Sequence, residues 1–279
     1  MRSGRLLISA FVIPLILLSV SCSPERRLAN SYVKKQEPVS VLLLMPDFSF
    51  KYAYKVPDVE NFDSLGSAVQ DSLLFFNSDL VQYLDDSIVI SSYLEGLSSG
   101  LKNYGFNVFT SGMADGFVNS GTEALIFNLA QLQFEEFFDS ISDEVSFGEE
   151  ELYNYELFIT ALNINSWFEL SGVNHYDTST RILYTSQTIT DYFDGGFRYF
   201  PFSGEVKYSY TLDSLKTSDV YRVVKDIGLQ YSDYLYDYLM NDYVQKNLPP
   251  GTRAEQTYTY DRQAGVVRKN KGQGFIRLN

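Results

Sequence analysis

Apolar and polar positions along the chain fall into blocks of different period. Val39-Ser40-Val41-Leu42-Leu43-Leu44-Met45 is a short apolar run closed by Pro46, which predicts a buried strand. From Ser67 to Asp86 the residues Val69, Leu73, Phe76, Leu80 and Leu84 recur three or four apart, which predicts one helix. A second helix is predicted from Ser87, with Ile90, Tyr93, Leu94, Leu97, Leu101 and Tyr104 on one face and Gly105 at its C-terminal cap. Phe106 to Thr110 reads as the next strand.

From Ala124 the period becomes two. Ile126, Asn128, Ala130, Leu132 and Phe134 alternate with Leu125, Phe127, Leu129, Gln131 and Gln133. Tyr155–Leu170 and Arg181–Asp191 are further candidate strands. Val206, Tyr208, Tyr210 and Leu212 alternate with Glu205, Lys207, Ser209 and Thr211, the pattern of a half-buried strand. Turns are expected at Ser146-Phe147-Gly148, Gly172–Thr180 and Asp194-Gly195-Gly196. A closing helix is expected from an N-cap at Ser218, with Val220, Val224, Ile227, Tyr231, Tyr234, Leu235 and Tyr238 on one face, ending before Pro249-Pro250-Gly251. A run of strands bounded by helices predicts an α+β fold, an antiparallel sheet with helices packed on one face, over residues 39–250.

The N-terminus changes the picture. Arg2 and Arg5 precede the apolar stretch Leu6–Leu18, the layout of an export signal, and the stretch is shorter than the roughly 20 apolar residues of a membrane span. The segment Leu18-Ser19-Val20-Ser21-Cys22 resembles a bacterial lipobox, departing from it in Ser19. The resemblance implies cleavage after residue 21 and lipidation of Cys22, the single Cys of the chain. Residues 22–38 are polar and read as a tether, with Arg26, Arg27, Lys34 and Lys35 able to lie against anionic headgroups.

Composition then narrows the chemistry. With one Cys and one His, neither a disulfide framework nor a Cys- or His-rich metal centre is possible, and no cofactor is expected. The formal charge of −13 argues against nucleic acid. Acidic residues outnumber basic ones about three to one between Gln36 and Gly251, whereas in the tail, residues 251–279, Arg253, Arg262, Arg268, Lys269, Lys271 and Arg277 oppose only Glu255 and Asp261. The tail reads as a hairpin or as an arm that orders on a partner, the arm being favoured.

Gly96-Leu97-Ser98-Ser99-Gly100 matches the nucleophile-elbow pattern G-x-S-x-G, but it continues a helical periodicity, and the one base on offer is His175. Two small residues at a helix contact explain it better. The carboxylates Glu135, Glu136, Asp139, Asp143, Glu144, Glu149, Glu150 and Glu151 have no calcium-loop spacing and read as a solvated strand end and loop. The closing helix carries more Tyr than one core stripe uses. Tyr231, Tyr234 and Tyr238, with Arg268, Lys269 and Lys271 of the tail, are the candidate interaction surface.

The start Cys22-Ser23-Pro24-Glu25-Arg26-Arg27 is similar to lipoproteins of Bacteroidota. Lacking the acidic cluster of their surface-exported members, it implies attachment to the outer membrane facing the periplasm. The order lipobox, tether, apolar strand, helix, strand meander and closing helix, over approximately Val39–Leu248, resembles the periplasmic auxiliary lipoproteins of envelope transport systems. It also resembles the lipid-anchored accessory subunits of β-barrel assembly. Both resemblances imply a non-catalytic subunit of an envelope protein complex. The alternative is a glycan- or peptidoglycan-binding lipoprotein that stacks sugars on Tyr or Trp167.

Overall fold

The computed structural model describes residues 23–35, 38–56, 59, 61–120, 123–173 and 179–278. Its elements run α1 (Pro24–Lys35), β1 (Val39–Leu44), β2 (Phe50–Ala53), α2 (Ser67–Phe76), α3 (Asp86–Asn103), β3 (Asn107–Thr110), α4 (Ala114–Val118), β4 (Glu123–Phe147) and β5 (Glu150–Val173). There follow β6 (Arg181–Thr190), β7 (Tyr192–Phe200), β8 (Glu205–Asp213), α5 (Thr217–Asn247), β9 (Tyr258–Asp261), β10 (Val266–Lys269) and β11 (Ile276–Leu278). The fold is α+β. One sheet has the order β11-β6-β5-β4-β1-β3, with β2 paired to β4 farther along. The pairs β4–β5, β5–β6 and β6–β11 are antiparallel, while β1 lies parallel to both β3 and β4, and β2 parallel to β4. The sheet is therefore mixed, because the connections after β1 carry helices and return the chain in the same direction.

The core lies between this sheet and α3 and α5. Val41, Leu43, Leu125, Phe127, Leu132, Phe134, Ile164 and Phe168 meet Tyr93, Leu97, Leu101, Val224, Ile227, Tyr231 and Leu235, all buried. The two helices approach closely at glycines. A Cβ on Gly96 would sit 2.0 Å from the Lys225 carbonyl oxygen, one on Gly228 2.5 Å from that of Tyr93, and one on Gly100 1.9 Å from Ser232 Oγ. The short α4 is the exception to one-sided packing, since its Phe117 covers Leu42 and Ala124 on the opposite sheet face.

Several boundaries differ from the sequence pattern for identifiable reasons. The helix expected from Ser67 to Asp86 stops at Phe76, because the Glu136 carboxylate accepts the backbone N–H groups of Asp79, Leu80 and Val81 and holds them out of a helix. Helix α3 is capped by Asp85, whose carboxylate accepts from the Ser87 and Ile88 N–H groups. Helix α5 begins at Thr217 rather than after Ser218, with the Asp219 carboxylate accepting the Lys216 N–H. Asp194-Gly195-Gly196 is strand interior, and the β7–β8 turn falls at residues 201–204. The strand Val206–Leu212 is exposed along almost its whole length.

The two chain ends depart most from expectation. Residues 24–35 of the expected tether form α1, which buries Ala29 against Met240, Val244, Tyr258 and Val267. The Glu25 carboxylate accepts from the Glu255 N–H and the Tyr258 hydroxyl, and Arg26 donates to the Val267 carbonyl. The tail, favoured as an arm, is a β9–β10 hairpin followed by β11, which adds an edge to the main sheet. Leu28, Ala29, Tyr32 and Val33 at helical spacing supply the apolar stripe that makes this possible. Cys22 and the expected export signal lie outside the described residues.

Candidate functional site

The sheet face opposite α3 and α5 carries polar residues wherever α4 does not cover it. Gln131, Gln133 and Glu135 of β4 stand beside Asn163, Asn165 and Trp167 of β5 and Tyr184 and Thr188 of β6, because alternation sends the other half of each strand into the core. Glu135 is the hub. It accepts from Gln133 Nε2 at 2.6 Å and from Asn163 and Asn165 Nδ2 at 3.0 Å each. Gln131 donates to Gln133 at 2.9 Å, and the Tyr184 hydroxyl to Asn165 Oδ1 at 2.7 Å. The rings of Trp167 and Tyr184 lie 5.0 Å apart. Burial, followed by the charge of Glu135, pushes the Tyr54 phenol up. Amides and a carboxylate beside tilted rings suit a polyhydroxylated ligand.

Behind this lattice, on the core side, Lys55 and Glu136 form an ion pair at 2.9 Å with exposures of 1% and 0%. Lys55 also donates to Asp79 and Thr160 and lies 4.8 Å from the Phe138 ring centre. Glu136 therefore belongs to the core rather than to a solvated strand end. Three amides and an ammonium group compensate its charge, so the cluster is a structural clasp.

The third feature is two hairpins that project beyond the core. Past Ala161, β5 loses its β6 partner, and the outer halves of β4 and β5, residues 137–147 and 150–160, continue as a two-stranded ribbon. β7 and β8 form a second ribbon. At the base of the second, the Asp191 carboxylate accepts from the N–H groups of Thr160 and Leu215 and clamps both of its ends. Each ribbon is two-faced. In β7–β8 one face holds Phe193, Gly195, Tyr199, Val206, Tyr208, Tyr210 and Leu212, and the other holds Asp194, Arg198, Glu205, Lys207, Ser209, Thr211 and Asp213, with Tyr192 and Phe200 at its two ends. In β4–β5 one face holds Ile141, Tyr153, Tyr155, Leu157 and Ile159, interrupted by Asp139 and Asp143. The other holds Ser140, Ser142, Glu144, Asn154 and Glu156, with Phe138 and Phe158 toward the base. The aromatic faces touch, Tyr153 against Tyr199 and Tyr155 against Tyr208 with ring centres 6.4 and 5.1 Å apart. Much apolar surface stays uncovered, Phe158 being 59% and Tyr208 52% exposed.

A scan against protein-family models and a search of curated proteins found no match for this chain.

The residues singled out from sequence are distributed differently. Tyr231 is core, 1% exposed, among the rings of Tyr93, Phe168, Tyr234 and Phe275, and burial raises its phenol to about 12. Tyr234 and Tyr238 are half-buried, the first under Phe275 and the second beside Arg181. The Tyr stripe is thus covered by the sheet and the tail, which corrects its reading as a docking face. Arg268, Lys269 and Lys271 do lie at the surface, Arg268 paired with Asp261 at 3.0 Å. They belong to a hairpin folded against α1, apart from the Tyr stripe. Ser98 lies in the middle of α3, not on a strand-to-helix turn, and Gly96 and Gly100 serve the contact with α5. His175 lies outside the described residues. Neither the polar lattice nor the ribbons were singled out from sequence, although Gln131, Gln133, Asn163 and Asn165 at period two were a usable signal.

Among the described residues no group of three or more His, Cys, Asp or Glu converges as metal ligands do, and no helix is long and apolar enough to cross a membrane.

Proposed function

We propose that the chain is a non-catalytic, lipid-anchored subunit of an outer-membrane assembly or transport complex, and that it engages its partner subunits through the two projecting ribbons. The observation that carries this reading is the amount of aromatic and aliphatic surface left uncovered on β7–β8 and on the outer halves of β4 and β5. Contiguous exposed apolar surface of this kind marks interaction sites. The ribbons contribute little to the core, which makes binding rather than stability their reason for being there. In-cell crosslinking of the tagged full chain, followed by mass spectrometry, tests the reading. A discrete complex larger than one chain is expected. Recovery of monomer alone, with the membrane attachment intact, contradicts it.

The alternative of glycan binding rests on its own observation, the Glu135 lattice beside Trp167 and Tyr184. Sugars are held by such combinations of planar amide or carboxylate groups and aromatic rings. Binding to purified peptidoglycan fragments that is lost in Trp167→Ala supports it, and absence of binding removes it.

A further inference from the structure

We infer that the two ribbons are membrane-spanning strands, and that copies of this chain assemble head to tail into one transmembrane β-barrel to which each contributes β4, β5, β7 and β8. This rests on the subunit reading above and specifies it: the partners are further copies of the same chain, and the aromatic faces, which in the single chain touch through Tyr153, Tyr155, Tyr199 and Tyr208, separate to meet lipid.

Strand length is the first support. β7 and β8 have 9 residues each, and the outer halves of β4 and β5 are of similar extent. A tilted strand crosses a bilayer in about 9–11 residues. The second is alternation. The β7–β8 ribbon is apolar and aromatic on one face, and on the other charged or hydroxylic except for Phe200 beside the turn, the pattern of a strand between lipid and a wet lumen. Gly195, at φ +129° and in close approach to the backbone of Ser209 and Tyr210, provides the kind of bend that barrels build from Gly. Asp139 and Asp143 interrupt the lipid face of β4, and carboxylates are the charges tolerated best there.

The open strand edges are the third. Among the described residues, neither ribbon has a strand paired to its outer edges. A two-stranded ribbon cannot sit in hydrocarbon with unpaired N–H and C=O groups, so insertion demands further strands. Within one chain the join is already prepared. The Asp191 N–H donates to the Thr160 carbonyl at 2.9 Å, continuing the β5–β6 ladder, while the Asp191 carboxylate takes the place of its own carbonyl as acceptor of the Thr160 N–H. Among the described residues the single chain does not pair β7 with β5, so on assembly the ladder has to extend past Asp191, with a one-residue bulge there to set both aromatic rows on the same side. The open edges of β4 and β8 then remain, and a second copy supplies β8 to β4. Such a heterologous contact closes into a ring when the rotation per copy divides a full turn, as a barrel requires.

The test is a fluorophore scan in the full chain, with an environment-sensitive dye attached through single cysteines at Val206, Lys207, Tyr208, Ser209, Tyr210 and Thr211. Cys22, the single native Cys, is lipidated in the proposal. The protein is reconstituted into vesicles of phosphatidylcholine and phosphatidylglycerol, and the same vesicles are treated with an amine crosslinker. The expected result is emission alternating several-fold with residue parity, high at 206, 208 and 210, quenched there by lipid-borne nitroxide, with a crosslinked ladder beyond the dimer. Uniform, water-like emission at all six positions overturns the inference, as does a purely monomeric chain. If that happens while the in-cell complex with other proteins persists, the subunit reading stands and the barrel alone fails. If the in-cell complex is missing too, both fail.

Discussion

A buried carboxylate, Glu136, and a half-buried one, Asp237, set what single residues do here. Glu136 has the Lys55 ammonium at 2.9 Å and three backbone amides, so its removal strands a cation in the core. Glu136→Ala is expected to cost about 3–5 kcal/mol in urea unfolding, the usual cost of removing one partner of a buried pair. Asp237 behaves oppositely. Burial raises its pKa to about 7 despite the Tyr260 N–H it accepts, and the neighbouring Asp233 adds to the rise. A carboxyl that is easier to protonate folded than unfolded makes stability fall as pH climbs from about 4 to about 7. Asp237→Asn keeps an acceptor for the Tyr260 N–H and removes that loss. It should match the wild type near pH 4 and exceed it by about 1–2 kcal/mol near pH 8, the shift being discounted for partial exposure. Glu135 and Glu136 were indistinguishable as letters. Period two puts them on opposite faces, and that alone signalled that one of them enters the core.

At the scale of elements, most of the sheet and both long helices were legible, because each strand pattern repeats over many residues and Pro249-Pro250 ends α5. The end of α2 was not, since a side chain 55–57 residues away in the sequence pulls Asp79–Val81 out of the helix. The Gly-Gly pair at 195–196 misled for the opposite reason: glycine there serves a bend and a close approach inside β7 rather than a turn. The contact between α3 and α5 depends on missing side chains. Gly96→Ala should destabilise by about 1–3 kcal/mol through a clash with backbone. Ser98→Ala should leave the melting temperature unchanged, as calorimetry can check. Replacing residues 192–213 by a short Gly/Ser linker joins two points already clamped by Asp191, so the body should keep its circular dichroism and melt within a few degrees of the wild type. The same deletion should abolish the in-cell complex.

For the molecule as a whole, the two basic segments that looked like separate ends fold together. α1 and the β9–β10 hairpin pack on the C-terminal half of α5 through Ala29, Met240, Tyr258 and Val267. That contact was hidden in the sequence because it joins residues more than 200 apart, and charge dominated the reading of both segments. The Tyr count pointed to an interaction surface on α5, but Tyr231 and Tyr236 lie in the core and Tyr234 and Tyr238 are half-buried, whereas Tyr192, Tyr208 and Tyr210 of β7–β8 are exposed. The central claim is that these ribbons are where the chain meets its partners. Site-specific photo-crosslinking in native cells tests it most directly, with the photoreactive residue placed in turn at Phe158 and Tyr208 on the ribbons, at Lys269 in the tail and at Arg222 on α5. Strong adducts, to protein or to lipid, are expected from Phe158 and Tyr208 and none from the other two positions. Adducts from Lys269 or Arg222 with silent ribbons would contradict it.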